Sequence, residues 1–246
     1  MPQRNTFIRT YNLLCDSVDC NDRLRPNAFM SLAQEIGDAD VERSGAGYRQ
    51  LAPRGLAWIL ARMHFTVLEP AVWKEKVNLE TWHRGVQGPF FIRDYVLWGE
   101  DGTRKVTGAA SWVVLDTNDR KLIRTQDALG IFGAAPACTD AADDPCPKIV
   151  FPRGAEITRC PRRKVSFSDL DHNGHTNNTM YVSWALDCLP AEVTTRSLCR
   201  EVFINFSRET LLGEEIELHT AEPAPGVHYV EGLRDGLVCF TAKLVF

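Results

Sequence analysis

Apolar and polar positions follow the same order in both halves of the chain. Apolar residues spaced as on one face of a helix predict a helix in "NAFMSLAQEIGDADVERSG", at Phe29, Leu32, Ala33 and Ile36. A second helix is predicted in "NNTMYVSWALDCL", at Tyr181, Trp184, Ala185 and Cys188. A tract with the pattern of strands follows each predicted helix, so the chain contains an internal repeat.

The strand tracts align the two halves of the repeat with each other. "KVNLET" begins at Lys76 and "EIELHT" begins at Glu215, and both alternate as half-buried strands do. Each half then ends in a hairpin whose turn is an Asp-Gly pair, at Asp101 in the first half and at Asp235 in the second. The pattern predicts an α+β fold, in which each unit has one long helix packed against a curved antiparallel sheet.

A segment without periodicity separates the two halves. "GAAPACTDAADDPCPK" is rich in Ala, Pro and Asp, as linkers are. We therefore predict an N-terminal unit (1–132), a linker (133–155) and a C-terminal unit (156–246). Two fused units of this kind can pair as two subunits would. Two unrelated domains fit less well, because the order of elements matches.

Composition excludes several classes of protein. The chain is 44% hydrophobic and 24% charged, as soluble globular proteins are, and it has no apolar run long enough for a membrane span. Its net charge of −4 argues against nucleic acid as a partner. The start, "MPQRNTFIRTYNLL", resembles neither a signal nor a transit peptide. The eight cysteines lack zinc-site spacing, so we expect a cytoplasmic protein with free thiols and no metal.

The segment "DLDHNGHTNN" (169–178) concentrates most of the chemistry. Its opening matches a calcium-binding loop, but the closing position falls on Met180, where such a loop requires Glu. Its end, Thr176-Asn177-Asn178, supplies good N-cap residues for the helix that follows. Asp171, Asn173 and His175 alternate, so in an extended segment they would project to one side, next to the free N–H groups of a helix end. Local spacing leaves helix capping and acyl-group chemistry equally open.

A resemblance decides between these two readings. "DLDHNGHTNNTMYVSWALD" resembles the D-L-D-x-N-x-H-x-N-N-x-x-Y-x-x-W signature of the acyl-ACP thioesterases of plants and bacteria. Further segments of that family are resembled by "LAWILARMHFTVLEPAVWKEKVNLETWHRG", "FFIRDYVLWGEDGTRKVTGAASWVVLDTNDRKLIR" and "FSRET". The resemblance implies a tandem, or double, hotdog fold and hydrolysis of fatty acyl-acyl carrier protein (acyl-ACP). It also implies an acyl-chain tunnel in the N-terminal unit, and no metal or organic cofactor.

Carried over by position, the resemblance implies a catalytic set of Asp171, Asn173, His175 and Glu209. The residue after the Glu is often Cys in plant members, but here it is Thr210, so a Cys–His mechanism is not expected. We expect Glu209 to act as general base on a water molecule, with Asp171 orienting its neighbours. A rival role for Asp171 is direct attack through a transient anhydride.

Other functions of the fold stay open at this point. An acyl-CoA thioesterase would differ in carrier preference, and a non-hydrolytic acyl-carrier binding module would release no thiol. A dehydratase or hydratase is disfavoured by the full set of four polar residues. We expect an acidic carrier to dock on basic residues before the loop: Arg159, Arg162, Arg163 and Lys164. A second basic cluster comprises Arg120, Lys121 and Arg124. A monomer and a homodimer both remain open.

Overall fold

The computed structural model describes residues 6–132, 142–144, 146–152 and 154–246. Both predicted long helices are confirmed, as α1 (Pro26–Arg43) and α4 (Asn178–Asp187). The short helices are α2 (Tyr48–Leu51), α3 (Thr125–Phe132) and α5 (Ala191–Arg196). None of the helices in these ranges has the length and apolarity needed to cross a membrane.

Within the described residues, eleven strands form one continuous antiparallel sheet. Those of the first half are β1 (Phe7–Asn12), β2 (Leu56–Val67), β3 (Lys76–Gln87), β4 (Phe90–Trp98), β5 (Arg104–Asp116) and β6 (Lys121–Ile123). Those of the second half are β7 (Thr158–Lys164), β8 (Glu201–Phe206), β9 (Glu215–Ala224), β10 (Val227–Arg234) and β11 (Leu237–Val245). Their order is β1-β3-β4-β5-β2-β8-β11-β10-β9-β7, with β6 beside β5. The pairing of β2 with β8 joins the two halves.

The two halves have the same order of elements. In each half, this order includes one strand that the sequence pattern did not predict. β1 precedes α1 and β7 precedes α4, and each strand pairs with the strand that starts at a repeat tract. Both are edge strands. Because β7 contains a proline and three arginines, the apolar periodicity of β7 is weak. The two Asp-Gly turns lie between β4 and β5 and between β10 and β11, as predicted.

The helices share one core with the inner face of the sheet. α1 contacts α4, and side chains of both helices are buried in the same apolar cluster as the central strands. The fully buried members include Phe29, Ile36, Trp184, Ile204 and Phe240. Because strands alternate, the neighbours of the inner residues face the opposite side of the sheet. The two halves therefore share one packed core, and this core supports the candidate site described below.

Residues of the predicted linker cover the other face of the sheet where the halves meet. The Asn205 side chain accepts from the Ile149 N–H at 2.6 Å and donates to the Pro147 carbonyl at 3.3 Å. Asp143 accepts from the hydroxyls of Thr66 and Thr107, both at 3.1 Å. The linker range 133–155 lies partly outside the described residues, and the boundaries at 132 and 156 stay predictions.

Candidate active site

The loop before α4 is a tight turn, not the extended segment in which Asp171, Asn173 and His175 would project to one side. The Asp171 N–H donates to the His175 carbonyl at 2.8 Å, and the Gly174 N–H donates to the Asp171 carbonyl at 3.1 Å. Gly174 has a φ of 78°, which favours glycine. The Asp171 carboxylate closes the turn from inside, since its Oδ1 accepts from the N–H groups of Asn173 (2.8 Å) and His175 (3.2 Å).

His175 and Glu209 meet although they are far apart in sequence. The loop pairs with the segment after β8: His175 forms a β-bridge with Leu211, and the Thr176 N–H donates to the Thr210 carbonyl at 2.9 Å. This pairing brings His175 Nε2 to 3.7 Å from Glu209 Oε2. Both side chains are partly exposed, so substrate and water can reach them. Asn173 is exposed on the same loop.

Two arginines that sequence reasoning left out of the site hold Glu209. Arg120 Nη2, from the turn between β5 and β6, lies 2.6 Å from Glu209 Oε1. Arg234 Nη1, at the end of β10, donates to the Glu209 main-chain carbonyl at 3.2 Å and forms an ion pair with Glu214. The sequence placed Arg120 in a basic cluster and in a stretch that resembles the family, but it gave no sign of the contact with Glu209, because this contact crosses between the two halves.

The residue after Glu209 points into the core. Thr210 is fully buried, and its hydroxyl lies 2.6 Å from the Thr176 hydroxyl and 2.9 Å from the Tyr181 hydroxyl. These three groups satisfy one another beneath the loop, which fixes the loop to β8 and α4. Thr210 therefore supports the site from below and does not face His175.

The N-terminus of α4 is capped by its own loop. The Asn177 side chain accepts from the Thr179 N–H at 3.0 Å, as the sequence predicted for an N-cap. The Met180 N–H donates to the Asn177 carbonyl at 2.9 Å. Within the described part of the chain, the Asn178 N–H is left without an acceptor, and the dipole of the helix makes this end attractive to negative charge.

The first half contains a second copy of the loop, which we did not predict. Asp19 Oδ1 accepts from the N–H groups of Asn21 (2.8 Å) and Arg23 (2.9 Å), as Asp171 does in its own loop. The copy pairs with the segment after β2, where Arg23 forms a β-bridge with Val72. Arg23 thus takes the position of His175, and Pro70 takes that of Glu209. The fold builds this loop twice, but the imidazole and the second carboxylate occur in the C-terminal copy alone.

The four predicted docking residues differ in their surroundings. Arg163 forms an ion pair with the buried Asp169 at 3.2 Å, and Arg162 forms ion pairs with Glu215 and Glu217. Arg159 and Lys164 are exposed, with no ion pair among residues that the structure describes. Two of the four therefore have structural partners and two have free charges.

Three buried thiols have raised pKa values, and the described residues form no metal centre. Burial raises the pKa of the Cys146 thiol and that of the Cys199 thiol to about 12, and it also raises the pKa of the Cys239 thiol. Such thiols are protonated at neutral pH and are poor nucleophiles. Across the described ranges, no group of three or more His, Cys, Asp or Glu side chains is arranged to hold a metal ion.

Solved structures with the same fold cover nearly the whole chain. An acyl-ACP thioesterase from Bacteroides thetaiotaomicron superposes with a TM-score of 0.82 at 22% identity, covering 98% of this chain and 97% of that one. The 12:0-ACP thioesterase from Umbellularia californica superposes with a TM-score of 0.83 at 19% identity, covering 98% and 96%. At these identities the likeness establishes the fold, which is the predicted double hotdog.

Sequence comparisons agree with the structural ones. The oleoyl-acyl carrier protein thioesterase 2, chloroplastic, of Arabidopsis thaliana is 26% identical over 244 residues, which cover 89% of this chain and 62% of the plant protein. This chain thus spans less than two thirds of that relative. Residues 4–130 match the acyl-ACP thioesterase N-terminal domain, and residues 156–239 match the C-terminal domain. The chain belongs to the acyl-ACP thioesterase family.

Proposed function

We propose that the protein hydrolyses the thioester of fatty acyl-ACP and releases a free fatty acid and the carrier thiol. The observation that carries this proposal is the 3.7 Å approach of His175 Nε2 to Glu209 Oε2 beside the N-terminus of α4, in a chain of this family. The relatives' names, which specify oleoyl-ACP and 12:0-ACP thioesterases, support the same substrate class.

In the proposed reaction, Glu209 acts as the general base. Its Oε2 takes a proton from a water molecule whose oxygen attacks the thioester carbonyl carbon. The C–S bond then breaks, and the carrier sulfur leaves with a proton. His175 and Asn173 orient the water and the thioester. General-base assistance of this kind accelerates a reaction by about 10²–10⁴-fold.

The N-terminus of α4 is the proposed oxyanion site. The N–H of Asn178 and the positive end of the helix dipole can stabilise the negative charge that develops on the carbonyl oxygen. No cysteine is required, and Thr210 is committed to the hydroxyl cluster below the loop. The acyl chain is proposed to lie in the N-terminal unit.

Two roles are open for Asp171, and they predict that ¹⁸O from water is incorporated into different products. Its Oδ1 is held by two main-chain N–H groups, which supports the orienting role. Direct attack by the carboxylate would instead break the C–S bond, release the carrier thiol and form an anhydride, which water opens at the Asp171 carboxyl carbon. A single turnover in H₂¹⁸O, followed by mass spectrometry of the loop peptide, separates the two roles. We expect the label in the fatty acid alone, and label in Asp171 would establish direct attack.

We propose that the carrier docks beside the loop, on the exposed cations Arg159 and Lys164. The side chain of Phe167 is 85% exposed on the 3₁₀ turn that follows β7, so an apolar contact accompanies the charges. Acyl carrier proteins are acidic, which suits this surface. Exchanging both cations for Glu is expected to raise KM for acyl-ACP and leave kcat unchanged, whereas an unchanged KM would contradict docking at this surface.

The proposed setting is fatty acid biosynthesis in the cytoplasm. The described cysteines, including the exposed Cys15 and Cys20, are free, as suits a reducing compartment. The fused halves already pair as two hotdog units within one chain. A homodimer of two such chains is proposed as a further level of assembly. Cell fractionation and light scattering test these two points.

Substrate hydrolysis tests the proposal itself. Purified protein is assayed for thiol release on acyl-ACPs and acyl-CoAs of graded chain length. We expect release from acyl-ACP with a higher kcat/KM than from the matching acyl-CoA. A preference for acyl-CoA would make the protein an acyl-CoA thioesterase, and binding without thiol release would make it a carrier-binding module.

A further inference from the structure

Arg120 reaches from the N-terminal half into the proposed site of the C-terminal half. Its Nη2 lies 2.6 Å from Glu209 Oε1, while the other carboxylate oxygen, Oε2, lies 3.7 Å from His175 Nε2. The Glu209 carboxylate thus has a guanidinium on one oxygen and an imidazole on the other. Arg120 lies in a stretch that resembles the family, but it is not one of the four residues that the resemblance assigns to the catalytic set.

The turn that presents Arg120 is held in place by several hydrogen bonds. Asp116 Oδ1 accepts from the N–H groups of Asn118 (2.8 Å) and Asp119 (3.2 Å). The N–H of Thr117 donates to the Gly55 carbonyl at 2.7 Å, and its hydroxyl donates to the same oxygen at 3.0 Å. These hydrogen bonds therefore fix the main chain of the turn relative to β2 and β5. The Arg120 side chain thus extends from a well-ordered turn.

The backbone of Arg120 is in a conformation that disfavours arginine. Its φ is 53°, in the left-handed region where glycine and asparagine are preferred. Backbone strain of this kind concentrates at functional sites, where a side chain is needed at a position that the main chain alone would give to glycine. The contact with Glu209 supplies a reason for arginine here.

The neighbouring cations do not make the same contact. Lys121 lies beside Asp119 at 3.8 Å, and Arg124 forms an ion pair with Asp127 at 2.8 Å. Among the ion pairs of the described residues, that of Arg120 is the one that joins this basic cluster (Arg120, Lys121 and Arg124) to the second half. This difference provides a matched control within the same cluster.

We infer that Arg120 is a positioning residue that holds Glu209 for catalysis across the junction of the two halves. The guanidinium fixes Oε1, so that Oε2, the oxygen proposed to take the proton of water, faces His175. Arg234 holds the main-chain carbonyl of the same residue. This inference rests on the proposed function of Glu209 as general base. The competing role for Arg120 is to attract the acidic carrier.

The test compares Arg120→Gly, Arg120→Lys and the control Lys121→Gln on two substrates: acyl-ACP and a carrier-free acyl-N-acetylcysteamine thioester. Misplacement of a reacting group by about 1 Å can cost 10²-fold in rate, so we expect Arg120→Gly to lower kcat about 10- to 100-fold on both substrates. KM is expected to stay close to that of the parent protein. Arg120→Lys restores part of the rate, and Lys121→Gln matches the parent.

Two further readouts separate positioning from a general loss of structure. Glycine relieves the strained φ, so Arg120→Gly is expected to melt at or above the temperature of the parent protein. Guanidinium chloride at millimolar concentration should restore part of its kcat and leave that of the parent unchanged. The Hε1 resonance of His175 in NMR spectra should move in Arg120→Gly and stay in place in Lys121→Gln, whether or not a substrate is present.

Each result bears on a distinct claim. A raised KM for acyl-ACP alone, with the carrier-free thioester unaffected, would make Arg120 a docking residue and overturn the inference. Parental kcat in Arg120→Gly on both substrates would also overturn it. A parent protein that hydrolyses neither substrate would contradict the proposed function. In that case the His175 resonance still tests whether Arg120 holds Glu209, and an unmoved resonance overturns the positioning role.

Discussion

At the scale of single residues, the site depends on which oxygen of each carboxylate is held by the protein. Asp171 uses Oδ1 for two main-chain N–H groups, and Glu209 uses Oε1 for Arg120. The remaining oxygen of Glu209 faces His175. The repeat supplies an internal comparison, since Asp19 makes the same two hydrogen bonds in a loop without the imidazole. Closing the turn is thus a role of this aspartate that does not require the other site residues.

The buried hydroxyl cluster leads to a prediction at Thr210. Thr210→Val keeps the shape of the side chain but leaves the hydroxyls of Thr176 and Tyr181 without their shared partner. We expect urea unfolding to show a loss of about 1–3 kcal/mol in the free energy of unfolding, with kcat of the folded protein unchanged. Thr10→Val, which removes an exposed hydroxyl, is the control. A lower kcat with unchanged stability would instead place the Thr210 hydroxyl in the chemistry.

The site was predictable from sequence only in part. Asp171, Asn173 and His175 lie within five residues of one another, so their grouping could be recognised locally. Glu209 was assigned through the family resemblance, because the pairing of the loop with the segment after β8 is a tertiary contact. Arg120 could not be assigned, since its contact with Glu209 depends on how the two halves meet.

At the scale of elements, hydrophobic periodicity predicted the two long helices and the hairpins. Periodicity failed at β1 and β7, which are edge strands with much of their surface in solvent. The alternation of Asp171, Asn173 and His175 suggested one-sided projection, which holds only for an extended loop. The side-chain hydrogen bonds of Asp171 bend that loop into a turn, and local polar bonding of this type has no apolar pattern.

The face of the sheet beneath residues 142–144 contains a carboxyl group with an unusual pKa. Asp94, on β4, is fully buried, and Arg84 Nε lies 2.8 Å from its Oδ2. Burial outweighs the attraction of Arg84 and raises the pKa of Asp94 from 3.8 to about 7. The folded protein thus holds this proton more tightly than the unfolded chain does, so unfolding releases it between those two pH values.

Stability should therefore fall as pH rises from about 4 to 7, by up to about 1.4 kcal/mol per pH unit from this group, and then level off. In Asp94→Asn this contribution is absent, so urea unfolding at several pH values should give a flatter profile between pH 5 and 7. Asp101→Asn, in an exposed turn, is the control and should keep the parental slope. Parallel profiles for the parent and Asp94→Asn would contradict the account.

At the scale of the whole molecule, the two halves share one sheet and one apolar core. The pairing of β2 with β8 makes the sheet continuous, and the main apolar cluster contains residues of both halves. The sequence predicted this arrangement because both halves have the same plan. It did not predict that residues 142–144 and 146–152 cross the junction, since they have no periodicity and are held by single polar contacts such as that of Asn205.

Ile204 provides a test of this shared stability. It is fully buried on β8, paired with Met63 of β2 on one side and Ala242 of β11 on the other. Ile204→Ala is expected to lower the free energy of unfolding by about 2–5 kcal/mol. Hydrogen exchange should show equal losses of protection in β4 and β10, whereas Leu237→Ala, at an exposed position, should change neither. A loss confined to β10 would mean that the halves unfold separately.

The most direct test of the account is the rate of thiol release from acyl-ACP by the parent protein and by Glu209→Gln. Glutamine has nearly the same shape but cannot accept the proton of water, so we predict a fall in kcat of about 10²–10⁴-fold. Glu217→Gln, which neutralises a carboxylate on β9 that pairs with Arg162, should keep the parental rate. A Glu209→Gln protein with parental kcat would contradict the central claim that Glu209 is the general base.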